Sequence, residues 1–153
     1  SHATTALCLE WLSTNIKGNE TIIDYGCGSG ILAIAALMLG AKHASAIDYD
    51  PQAILATKMN AENNGIAPEM IDIALPDEIS PQPAEIMIAN IISKPLIELA
   101  PKLSALTLPK GKLVLSGILE EQEDEVKQAY IPWFELEEKV VKDGWMRLVF
   151  GRK

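Results

Sequence analysis

The chain contains only two cysteines and two histidines in 153 residues. Cys8 and Cys27 show no metal-ligand spacing, and two histidines cannot supply the missing ligands, so no metal site is expected. Both thiols read as reduced, structural side chains. Long apolar runs are missing too: the longest charge-free apolar stretch, Ile31 to Ala41, is about half of the roughly 20 residues that cross a bilayer. No basic leader followed by an apolar segment opens the sequence, so nothing points to secretion and a cytoplasmic location is the default expectation. Positive charge is sparse, with 13 lysines and arginines against 21 acidic residues and a net charge of -8. Such a balance repels nucleic acid at long range and suits a neutral or basic substrate.

What is present suffices for one domain, since 48% of the residues are hydrophobic and a chain of this length buries a sizeable core. No repeat or low-complexity tract interrupts it. Thr4 and Thr5 are expected to cap a first helix that carries Leu7, Cys8, Trp11 and Leu12 at helical spacing and ends near Lys17-Gly18. Strands are predicted at Thr21 to Tyr25, Ala44 to Asp48, Ile71 to Leu75, Glu85 to Ile91 and Lys112 to Ser116. Helices are predicted between them at Ser29 to Leu39, from Asp50-Pro51 to Asn64, at Leu96 to Leu106, and then at Glu120 to Tyr130. The three prolines between Pro76 and Pro83 require a loop where a crossover helix is usual. Alternating strands and helices imply an α/β domain with a parallel sheet. The tail differs: Phe134 to Val141 and Trp145 to Phe150 flank Asp143-Gly144, a type I′ hairpin signal, so the sheet should close with an antiparallel pair.

The chemistry concentrates in "DYGCGSG", Asp24 to Gly30, a glycine-rich turn between the first strand and its helix. Glycines there let backbone N–H groups approach a ligand, and the helix N-terminus favours a negative group. Asp48, at the end of the second strand, follows Gly26 by 22 residues, where a carboxylate can accept hydrogen bonds from ribose hydroxyls. Its alternative role as a helix cap is weakened by Asp50, which already precedes Pro51. Asn90, at the carboxyl end of the fourth strand, follows Ile86, Ile88 and Ala89, so its polar amide is a candidate for orienting a substrate. An asparagine bonding its own backbone in a turn is the rival explanation. Asp24 either pairs with N–H groups of the loop or lies near an amino group of the ligand. Leu75-Pro76 is suitably placed for a base; His43 reads as a surface residue, and Trp11, Trp133 and Trp145 as packing. Gly28-Ser29-Gly30-Ile31-Leu32-Ala33 also fits the looser dinucleotide pattern, which leaves an NAD-binding oxidoreductase open.

Gly26, Gly28 and Gly30 behind Asp24 resemble motif one of class I S-adenosylmethionine methyltransferases. Together, His2-Ala3-Thr4-Thr5 before a Leu-Cys-Leu helix, "IDYGCGSGILAIAA", "AIDYDPQAI", "NAENNG", "ANI" and "LSGIL" resemble the ribosomal protein L-eleven methyltransferase family over nearly the whole chain. The resemblance implies a Rossmann-like fold with a mostly parallel seven-stranded sheet, helices on both faces and an antiparallel C-terminal hairpin. It implies S-adenosylmethionine as cofactor, with contacts at Thr5, Gly26, Asp48 and Asn90. Gly28 of the same loop and, secondarily, Asp24 join them as candidate cofactor contacts, and Asn90 is the candidate catalytic residue, expected to accept a hydrogen bond from the amine. The implied reaction is methylation of lysine side chains and an N-terminal amine of a large-subunit ribosomal protein, with another protein or a small-molecule amine as the alternative acceptor. A cofactor-binding module without activity is a further alternative. Residues 1–153 would form the catalytic domain alone, without the family's amino-terminal substrate-recognition domain. The chain departs from the family in having Ala3 where proline is usual. Methyltransferases acting on planar nitrogens often carry Asn-Pro-Pro-aromatic at this strand end, whereas Ile91-Ile92 follow Asn90 here, which favours an aliphatic amine and no nucleic acid.

Overall fold

In the computed structural model, which describes residues 2–91 and 93–153, the strands are β1 (Thr21–Tyr25), β2 (His43–Ile47), β3 (Ile71–Ala74), β4 (Ala84–Asn90), β5 (Thr107–Leu119), β6 (Phe134–Lys142) and β7 (Trp145–Arg152). The helices are α1 (His2–Asn15), α2 (Ile31–Met38), α3 (Pro51–Asn63), α4 (Ser93–Glu98), α5 (Ala100–Ala105) and α6 (Glu123–Tyr130). One seven-stranded sheet runs in the order β3-β2-β1-β4-β5-β7-β6, with β3 to β5 parallel and β7 antiparallel to both neighbours. The chain winds outward from β1 to β3 and then returns to β4 on the other side of β1. Open α/β sheets bind ligands at such a reversal, outside the carboxyl ends of the strands, which here are the ends of β1 and β4.

Alternation along the central strands divides the core. Ile22, Ile88, Val114 and Val149 pack with Cys8, Trp11 and Leu12 of α1 and Leu32, Ala36 and Leu37 of α2. Their sequence neighbours Ile23, Met87, Leu115 and Leu148 pack on the opposite face, with Leu96, Leu103, Val126, Tyr130 and Phe134. Both faces of a parallel sheet must be covered, and near-continuous apolar runs such as Ile86 to Ala89 answer that need. Trp11 and Trp133 join these clusters.

Several expected boundaries move, each for a local reason. Thr4 and Thr5 lie inside α1 rather than capping it: Thr4 is buried, and its carbonyl accepts a 3.3 Å hydrogen bond from Ser116 Oγ at the end of β5. The helix stops at Asn15, and the Glu20 carboxylate closes the turn by accepting from the N–H groups of Lys17 and Gly18. The single helix expected at Leu96 to Leu106 is two, α4 and α5, because Pro101 has no N–H to continue the ladder. β5 is much longer than Lys112 to Ser116, and its pairing with β4 shifts register between Ala84 and Ile86 to pass Pro109 and Lys110, whose φ is +68°.

Other signals act as read. Asp50 caps α3 by accepting from Gln52 N–H at 2.9 Å, with Pro51 in the first turn. Asp143 and Gly144 both take positive φ, +53° and +81°, as a type I′ turn demands. Only a short 3-10 turn, Pro76–Glu78, precedes the coil that leads to β4. With no crossover helix above it, that corner of the sheet carries polar side chains. His43 is half-buried there, 3.2 Å from the Asp72 carboxylate, rather than a free surface residue.

Candidate cofactor and active site

Strand register brings the candidate residues into one row. Tyr25 pairs with Ile47 on one side and with Ala89 on the other, so Gly26, Asp48 and Asn90 leave three adjacent strands at the same level. Asn90 in turn pairs with Ser116, the residue that holds the Thr4 carbonyl, so the α1 segment carrying Thr5 lies at the end of β5 beside it. Thr5 and Asn90 are half-buried, and the Asn90 side chain makes no hydrogen bond among the described residues. The turn-asparagine explanation therefore fails in its simplest form. Ile92 lies outside the described residues.

The three glycines of the loop have different reasons to be glycine. All take positive φ, +80° at Gly26, +56° at Gly28 and +81° at Gly30. A Cβ on Gly30 would stand 2.5 Å from Thr57 Cγ2, and one on Gly26 would overlap Ile91 Cγ2. At Gly28 a Cβ would meet nothing within 4 Å, so this is where the loop backbone faces open space. The left-handed conformations of Gly28 and Gly30 also explain why α2 begins at Ile31 and not at Ser29.

The loop is held from two sides. Asp48 Oδ2 accepts the Gly28 N–H at 2.9 Å while Oδ1 accepts the Asp50 N–H at 2.9 Å, and each oxygen retains a lone pair for a ligand. From α3, Thr57 Oγ1 donates to the Gly28 carbonyl and Asn60 Nδ2 to the Ser29 carbonyl, both at 2.9 Å. Sequence reasoning missed these two clamps. Their signal was a pair of polar residues three apart on the face that α3 turns toward the loop.

Asp24 lies beneath the loop, 1% exposed. Its Oδ2 accepts the Ala33 N–H at 3.2 Å, in the first turn of α2 rather than in the loop, and its Oδ1 has no partner among the described residues. Burial pushes this carboxyl up to about 7; the Ala33 N–H opposes the shift and the Asp48 charge adds to it. Burial likewise pushes the thiols of Cys8 and Cys27 up to about 12, and both are unbridged. Neither is a nucleophile at neutral pH.

Beyond Asp48, a cavity of about 430 Å³ is lined by Tyr49, Leu75, Pro76, Asp77 and Lys102. Tyr49 meets the buried Tyr25 edge-on at 6.5 Å, and Lys102 Nζ stands 5.4 Å from the centre of the Tyr25 ring. Apolar walls with a few polar groups suit a planar heterocycle. Leu75-Pro76 was legible as a candidate for that role, whereas Tyr49 and Lys102 were not singled out. A larger cavity of about 630 Å³ opens between α3 and β3, lined by Ile66, Ile71 and Ile73, but none of the candidate residues borders it.

Comparison with known proteins agrees with this architecture. The profile of the Ribosomal protein L11 methyltransferase (PrmA) family matches residues 1–153. Proteins named ribosomal protein L11 methyltransferase from Marinobacter nauticus and Hahella chejuensis are 51% and 50% identical over all of this chain, which covers 51% and 52% of them. The chain thus spans about half the length of the curated relatives it matches. A crystal structure of a ribosomal protein L11 methylase from Lactobacillus delbrueckii subsp. bulgaricus superposes with a TM-score of 0.90 at 33% identity, covering 100% of this chain and 80% of that one. A tRNA m1G37 methyltransferase from M. jannaschii superposes with a TM-score of 0.84 at 20% identity, covering 100% of this chain and 50% of that one, a likeness of fold alone. With a class I methyltransferase sheet, a glycine loop pinned by Asp48 and a family match along its whole length, the chain belongs to the ribosomal protein L11 methyltransferase family.

Proposed function

We propose that this chain is the S-adenosylmethionine-dependent methyl-transfer domain of a protein N-methyltransferase, acting on lysine side chains and the N-terminal amine of ribosomal protein L11. The observation that carries this reading is the free amide of Asn90, unbonded among the described residues and one strand from the glycine loop. The remainder of the full-length protein would deliver the substrate. Among the described residues no helix is long and apolar enough to cross a membrane, and a ribosomal substrate would place the enzyme in the cytoplasm. The chain's net charge of -8 suits a basic protein as partner.

The residues present fit the cofactor. The open backbone at Gly28 and the unpartnered Asp24 Oδ1 suit a methionyl end carrying an ammonium group, with Thr5 and Gly26 as further contacts. The spare lone pairs of Asp48 suit a ribose, and the Tyr49 cavity suits adenine. When bound, S-adenosylmethionine supplies a methyl group already activated on a sulfonium. No nucleophilic protein side chain is then needed, and the protein's task is to align an amine and exclude water.

The main obstacle is the protonated state of the acceptor. A lysine with an ordinary pKa of about 10.4 costs roughly 4.6 kcal/mol to present neutral at pH 7. A site that sheds water lowers that cost because desolvation disfavours the ammonium. Asn90 would accept a hydrogen bond from the amine through its side-chain oxygen, orienting the nitrogen lone pair without removing a proton. Mass spectrometry of undermethylated L11, incubated with the full-length enzyme and S-adenosylmethionine, should show methyl increments on lysine and N-terminal peptides. Asn90→Ala should lower the turnover number by roughly 100-fold while cofactor affinity falls much less, since it removes a hydrogen-bonding group positioned at the reacting centre. Unmethylated L11 with active controls would overturn the reading, and equal losses of affinity and turnover would remove Asn90 from the substrate side.

A further inference from the structure

Two glycines distant in sequence are constrained by the same residue. Where a Cβ on Gly26 would overlap Ile91 Cγ2, one on Gly117 would lie 2.6 Å from the Ile91 carbonyl oxygen and 3.0 Å from its carbonyl carbon. Gly117 has a φ of +86° and interrupts β5, whose pairing with β7 shifts register between Leu115 and Ile118. Ile91 is thus enclosed by the cofactor loop against its side chain and by β5 against its backbone. Asn90 is its immediate neighbour and is itself paired with Ser116, next to Gly117.

The two contacts differ in what could relieve them. Crowding at Gly26 would press on the Cγ2 methyl at the branch of a side chain, which a change of χ1 can move. Crowding at Gly117 would press on backbone, so the turn after β4 would have to move, because close-packed interiors transmit such displacements. A bulge that re-aims a chain beside an active site is a recurrent use of strand irregularity.

We propose that Ile91 is a positioning residue: a wedge between Gly26 and Gly117 that sets where Asn90 stands relative to the glycine loop. The proposal rests on the methyl-transfer reading above. It assigns a role to "LSGIL", whose glycine provides the space for the Ile91 carbonyl. It also makes the cofactor loop and the substrate-facing turn one mechanical unit, so that the gap between donor and acceptor is set by packing. Misplacement by about 1 Å costs up to about 100-fold in rate when reacting groups must be aligned.

The test uses the full-length enzyme carrying Ile91→Ala, Ile91→Val or Gly117→Ala, with undermethylated L11 and saturating S-adenosylmethionine. Turnover, KM for L11, cofactor Kd by calorimetry and Tm are measured for each. Ile91→Ala should lower kcat by roughly tenfold or more while cofactor Kd changes by less than about threefold. Valine keeps the β-branch and Cγ2 and should restore kcat to within about threefold of wild type. Gly117→Ala should reproduce the kcat loss; if it does not fold, the alanine and valine pair decides. A kcat for Ile91→Ala within about twofold of wild type overturns the proposal. So does a matching loss of cofactor affinity, or a valine variant as impaired as the alanine one. Wild-type enzyme that methylates no L11 would instead remove the functional reading itself, a different and separable failure.

Discussion

Replacing Asp24 by asparagine should change how the stability of the chain depends on pH. Asp24 is buried, and its carboxyl is pushed from 3.8 to about 7 chiefly by desolvation. Between those values the folded protein holds a proton that the unfolded chain has released, so unfolding free energy falls as pH rises through that window. At 1.36 kcal/mol per unit, the full penalty is about 4 kcal/mol above pH 7 and absent below pH 3.8. Asparagine preserves the shape and the acceptor for the Ala33 N–H but does not titrate. It introduces an amide with unsatisfied donors, a pH-independent cost of roughly 1–3 kcal/mol. The informative quantity is therefore the slope of the difference between the two proteins. Urea unfolding at several pH values should show Asp24→Asn gaining about 3 kcal/mol on wild type between pH 5 and pH 8. Groups common to both proteins cancel in that comparison. Parallel profiles, with a difference constant to within about 0.5 kcal/mol, would refute the argument that a buried, half-satisfied carboxylate titrates here.

Three further outcomes follow from the site. Asp48→Ala removes the acceptor for the Gly28 and Asp50 N–H groups, so calorimetry should find S-adenosylmethionine affinity lowered by at least about tenfold, a loss of 1.4 kcal/mol or more; unchanged affinity would contradict a ribose role. Gly30→Ala should destabilise the chain more than Gly28→Ala, because both meet the left-handed penalty of about 1–2 kcal/mol but only the Gly30 Cβ also presses on Thr57; chemical denaturation compares them directly. Cys8 and Cys27, pushed up to about 12 and buried, should react with a thiol reagent at pH 8 only at the rate at which the protein opens, and both should react promptly in denaturant. Rapid labelling of either thiol in the native chain would contradict its burial.

Much of the fold was legible because its signals are local. The Asp50-Pro51 start of α3, the Asp143-Gly144 turn and the missing crossover helix at Pro76 to Pro83 each depend on backbone chemistry within a few residues. The misplaced boundaries are those that distant contacts decided. Thr4 looked like a cap because threonine prefers that place in isolation, but burial against β5 draws it into the helix. The length of β5 was hidden because Pro109 cannot donate to a ladder and Lys110 takes a positive φ, and only the register shift against β4 between Ala84 and Ile86 accommodates them.

The sequence by itself determined the class of site: a strand, a glycine turn, a helix and an acidic residue at a set distance are all written along one segment of chain. It also determined which residues were available, Asp24, Asp48 and Asn90 among them. Tertiary structure decided where each one stands and what holds it. Register between β2, β1 and β4 set Asp48, Gly26 and Asn90 side by side. Packing left Asp24 with an unpartnered oxygen, recruited Thr57 and Asn60 as clamps, and gave two of the loop's glycines to protein neighbours while leaving Gly28 open. The reason is physical: φ preference and capping act between neighbours in the chain, whereas desolvation and close contact depend on what folding brings near.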